Sequence, residues 1–146
     1  MNKIVLTKGH LASMLDSCIK DIQDNGGSKA QNLGNFLKSL GEATQNDVFI
    51  SIAFPIGQLG YCFSWFKTAP IMTMLTPDVK RKYEKLLGSA STESVDALTK
   101  LKAELCERKS ERPIEIIKII STIDKNWMAL SNEIGTLAGF QPQAQE

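Results

Sequence analysis

Charge is missing where the chain most needs an explanation. Between Asp47 and Asp78 the only charged side chain is Lys67, and Val48 to Phe66, VFISIAFPIGQLGYCFSWF, has none. Charged residues make up 23% of the whole chain, so a gap this long requires cover by a core, a membrane or a partner. Cysteine is scarce: Cys18, Cys62 and Cys106 are odd in number, widely spaced and without a CxxC pair. That excludes a disulfide framework and a zinc knuckle, and leaves reduced thiols packed among apolar neighbours in an intracellular protein. Histidine occurs once, at His10. A lone imidazole acts as a base only beside a nucleophile or an orienting carboxylate, and the sequence places neither next to it. The reading for His10 is a surface residue in a first helical turn.

Other absences bound location and partners. The first apolar run, Ile4 to Leu6, falls short of the ~7–15 residues of a signal-peptide core. No N-x-S/T glycosylation acceptor occurs. A cytoplasmic protein is expected, although delivery by a specialised secretion machine leaves no such mark. Net charge is +1 from 17 basic and 16 acidic residues, which gives no bulk attraction for nucleic acid or an anionic membrane. No internal repeat or low-complexity run is visible.

What is present is helical periodicity. Leu11, Met14, Leu15, Cys18, Ile19 and Ile22 recur at steps of three and four, predicting a helix over 8–24. Thr7 is its expected cap, and Asn25, Gly26 and Gly27 its end. Leu33, Phe36, Leu37 and Leu40 predict a second helix from about 29 to 40, capped by Ser28 and stopped by Gly41. Asn46 and Asp47 open a third. Pro55 splits that helix into 47–54 and 55–67, because proline lacks the backbone donor and clashes one turn back. A strand over VFISIAF competes, but no second strand exists to pair with it. Pro70 interrupts again, and Ile71 to Leu75 are expected to form a short turn or packed connector.

Thr76-Pro77-Asp78 is a strong helix start: a capping hydroxyl, proline at the first position and an acid in the first turn. The helix closes at Gly88, a loop spans 89–91, and a further helix covers 92–109 with Leu98, Leu101 and Leu105 on its face. The last helix begins at Pro113. Ile116, Ile120, Ile123, Trp127, Leu130, Ile134 and Leu137 form a heptad seam. The expected fold is all-α: a compact bundle of five to six helices around a central apolar helix (about 47–67), with a long C-terminal helix (about 113–138). One domain covers 1–138, and 139–146 is a tail.

Chemical motifs are weak. Ser17…Lys20 and Ser64…Lys67 have the S-x-x-K spacing of penicillin-recognising enzymes, but S-D-N and K-T-G are absent. Gly57-Gln58-Leu59-Gly60 matches a bare G-x-x-G, yet no Lys or Arg stands beside it to meet phosphate, so close helix approach is the reading. Lys80, Arg81, Lys82 and Lys85 are diluted by nearby acids and read as a solvated face rather than a DNA reader. Glu93, Asp96, Glu104 and Glu107 lack the E-x-x-H spacing of a di-iron bundle. No cofactor and no metal are expected.

Three functional readings remain. The first is a non-enzymatic interaction module (an adaptor, chaperone-like factor or regulatory effector) contacting another protein through surplus apolar residues Ile114, Ile117, Ile119 and Phe140. The seam suits a self-paired dimer as readily as an intrachain bundle. The second is a carrier of an apolar ligand or lipid in a pocket lined by Phe54, Tyr61, Phe66 and Met72. The third is membrane insertion of 48–66, close to the ~20 residues needed to span. Gln58, Pro55 and the lack of a polybasic flank weigh against it.

Overall fold

The computed structural model describes residues 8–107 and 113–139. Five α-helices and no strand occur among the described residues: α1 (Lys8–Gln23), α2 (Ser28–Thr44), α3 (Asp47–Thr68), α4 (Pro77–Lys102) and α5 (Pro113–Gly139). A 3-10 turn, Pro70–Met74, joins α3 to α4, and a π-helical turn, Ala103–Glu107, extends α4. The chain is an all-α bundle. Thr7 and Phe140 lie outside the described residues.

Each helix end has a local cause. Asn25 takes the left-handed conformation, φ 61°, where α1 stops. Gly27 precedes α2 and has no side chain to cap it. Asp21, reaching across from α1, accepts the Lys29 N–H at 3.0 Å instead. Ser28 is therefore the first helical residue rather than the cap. Asn46 caps α3 by accepting the Phe49 N–H at 3.1 Å, and Thr76 caps α4 at Val79.

Three expected breaks are absent. Gly41 does not stop α2; it is buried, and a Cβ there would lie 2.8 Å from Ile50 Cγ1 and 3.0 Å from the Ile50 nitrogen. The glycine serves close approach, and Gln45, φ 56°, ends the helix. α3 runs unbroken through Pro55, whose ring is buried; packing of the ring offsets the lost backbone bond. α4 likewise runs through Gly88. Just beyond it Ala90, Ser91 and Ser94 are buried, and the Ser91 hydroxyl donates to the Ile22 carbonyl at 2.9 Å. Tertiary contact with α1 overrides the weak local preference of one glycine.

Two packed pairs run antiparallel on the contacts between their side chains. Asp16 meets Lys102 at 2.9 Å, while Ile22 meets Ser91, so α1 and α4 oppose. Tyr83 donates to Glu133 at 3.1 Å, and Lys125 meets Glu93 at 3.4 Å, so α4 and α5 oppose. The core is one cluster that includes Leu15, Ile22, Leu37, Ile56, Phe63, Leu98, Ile123 and Leu130. On α5 the buried register is Ile116, Ile119, Ile123, Asn126 and Leu130; Ile120, Trp127 and Ile134 flank it at half depth. Asn126 is tolerated because its amide donates to the Thr122 carbonyl at 2.8 Å and to Glu93 at 3.3 Å.

α3 has the length and composition of a membrane span. It is not enclosed all round. Ile52, Ile56, Leu59, Phe63 and Phe66 enter the core, while Ile50, Phe54 and Tyr61 remain 39%, 61% and 50% exposed.

Candidate binding groove

The connection between α2 and α3 is short enough to force them into an antiparallel hairpin. The Gly41 carbonyl accepts the N–H groups of both Gln45 and Asn46, the second at 2.9 Å. The two backbones then touch through glycine. A Cβ on Gly60 would lie 2.5 Å from the Gly27 carbonyl oxygen and 2.6 Å from the Gln31 nitrogen. A Cβ on Gly34 would lie 2.8 Å from Gly57 Cα and 2.9 Å from the Ala53 oxygen. The expectation that this G-x-x-G permits close helix approach is met at Gly60. Gly57 differs: a Cβ there meets nothing within 4 Å.

Beside Gly57 the surface is concave. A half-open groove of about 560 Å³ runs along the hairpin. Gly34, Ala53 and Gly57 form a floor with little side chain. α3 supplies an apolar wall, Ile50, Phe54 and Tyr61, interrupted by Gln58. α2 supplies a polar wall, Gln31, Asn35, Lys38 and Glu42. Along α3, Ile50, Phe54, Gly57 and Tyr61 are spaced 4, 3 and 4, the repeat by which one helix meets another.

Phe54 is held from outside the groove. Its ring packs edge-on against Trp127 of α5, centroids 5.8 Å apart. Trp127 is fixed by its indole N–H donating to Asp124 at 2.8 Å, and its carbonyl accepts the Cys62 thiol at 3.6 Å. A buried cysteine on α3 and a carboxylate on α5 thus orient the wall aromatic. At the Tyr61 end, the Ser64 hydroxyl donates to the Gln31 amide oxygen at 3.4 Å, so the second S-x-x-K serine is engaged with α2.

The sequence-predicted residues separate in space. Phe54 and Tyr61 line the groove. Phe66 does not: it is buried between Trp65, 5.3 Å away edge-on, and Tyr83, 5.9 Å away. Met72 is half-buried against the core from the 3-10 turn. Ile119, expected at a contact surface, is a core residue because it shares the face of Ile116 and Ile123. Ile114 and Ile117 are exposed at 68% and 62%, three apart at the start of α5, and do not line the groove. Ile50, Ala53 and Gly57 of the groove lie in the charge-free run, and the 4-3-4 spacing that joins Ile50 and Gly57 to Phe54 and Tyr61 cannot tell an inward face from an outward one; Gly34 and the polar wall of α2 lie outside that run and carry no such signal.

Chemistry elsewhere is sparse. Among the described residues no group of three His, Cys, Asp or Glu could hold a metal ion. Burial, with the charge of Asp21 adding to it, pushes the Cys18 thiol up to about 12, and burial pushes Cys62 up to about 11; neither is a thiolate at neutral pH. Lys80, Arg81, Lys82 and Lys85 are exposed; Arg81 pairs with Asp78 and Lys82 lies over the Tyr83 ring at 5.3 Å. Comparison of the chain with protein-family models, curated proteins and solved structures finds no match.

Proposed function

We propose that the protein is a non-enzymatic interaction module that takes up an apolar segment of a partner in the α2–α3 groove. The observation that carries this reading is the outward stripe of α3. Three large apolar side chains, 39–61% exposed, border a concave surface on a helix with no charge between Val48 and Phe66. A solvated helix face in a soluble bundle ordinarily carries charge, and an apolar face left in water marks a site to be covered. The groove has pocket dimensions, with most of its polar groups on the α2 wall and Gln58 alone among the apolar side chains of α3, a mix of apolar lining and few polar groups that binding sites in general show.

Affinity capture from extract tests the reading, with three baits run in parallel: wild type, Phe54→Glu/Tyr61→Glu, and Ile114→Glu/Ile117→Glu. Specific proteins held by wild type and by the α5 variant, and lost by the groove variant, support it. Recovery unchanged by the groove substitutions contradicts it, and loss confined to the α5 variant moves the contact to Ile114 and Ile117. A second reading, carriage of an apolar small molecule, rests on the 560 Å³ volume, and native mass spectrometry for a co-purified lipid tests it.

A further inference from the structure

We draw no further inference here: the strongest candidate, the groove between α2 and α3 with the exposed apolar face of Ile50, Phe54 and Tyr61 on α3, belongs to the binding surface already described, and nothing in the structure shows what covers it.

Discussion

Glycine substitution along the hairpin gives opposite signs at neighbouring positions. Alanine in place of glycine inside a helix gains about 1 kcal/mol from propensity. At Gly57 nothing opposes that gain, because the added Cβ finds no atom within 4 Å. Gly57→Ala is therefore expected to raise Tm by about 3 °C in a chain of this length. At Gly60 the added Cβ lies 2.5 and 2.6 Å from backbone atoms of Gly27 and Gln31. Backbone cannot swing aside as a side-chain tip does, so α2 and α3 must separate. Overpacking of that kind costs about 3 kcal/mol, and after the propensity gain a net loss of about 2 kcal/mol remains, roughly 6 °C in Tm. Gly34→Ala, at 2.8 Å from Gly57 Cα and nitrogen, follows Gly60 in sign. Far-UV circular dichroism melts of the three variants measure this directly. Gly60→Ala as stable as wild type, or Gly57→Ala falling with the other two, would refute the glycine contact and the position of the groove beside it.

Other substitutions probe single features. The Ser94 hydroxyl is fully buried and finds no hydrogen-bond partner among the described residues; Ser94→Ala should gain about 1 kcal/mol, read as a higher urea midpoint at unchanged slope. Asp21→Ala removes the acceptor for the Lys29 N–H and should cost about 1 kcal/mol, because no residue at Gly27 can replace it. Cys18 and Cys62, with thiols pushed up to about 12 and about 11, should resist alkylation in the native state at mildly alkaline pH and react on unfolding. The raised values also set a sign. Folding keeps these thiols neutral, so their effect on stability is constant below the ordinary thiol value of 9.0 and is lost as pH climbs from there toward about 12, where the unfolded chain ionises first. Cys18→Ala should flatten that decline in urea unfolding followed against pH.

The sequence spoke clearly where periodicity and capping agreed. Thr76-Pro77-Asp78 starts α4, and Asn46-Asp47 starts α3, because side-chain caps act locally. It misled where tertiary contact decides. Gly41 and Gly88 look like stops, but one allows α3 to approach and the other sits in a helix held by α1. Ile119 and Ile120 are adjacent apolar residues, and only packing determines that Ile119 faces inward. Asn126 was invisible as a core position because its burial depends on Glu93, 33 residues away. The groove was half legible. A run without charge announced that α3 must be covered, and Phe54 and Tyr61 were named from it. Which side of α3 the bundle itself covers depends on where glycine lets α2 approach, and that is a property of the pair.

The central claim is that α3 hides one face and offers the other, and two substitutions two residues apart separate them. Leu59 is fully buried and Tyr61 is 50% exposed. Melting of Tyr61→Glu and Leu59→Glu under the same conditions is the direct test. Tyr61→Glu within about 3 °C of wild type, with Leu59→Glu unfolded or lowered by 10 °C or more, is the predicted result, since a buried unpaired charge costs several kcal/mol. Collapse of Tyr61→Glu to the level of Leu59→Glu would mean the stripe is core, and the protein would have no apolar face to offer a partner there.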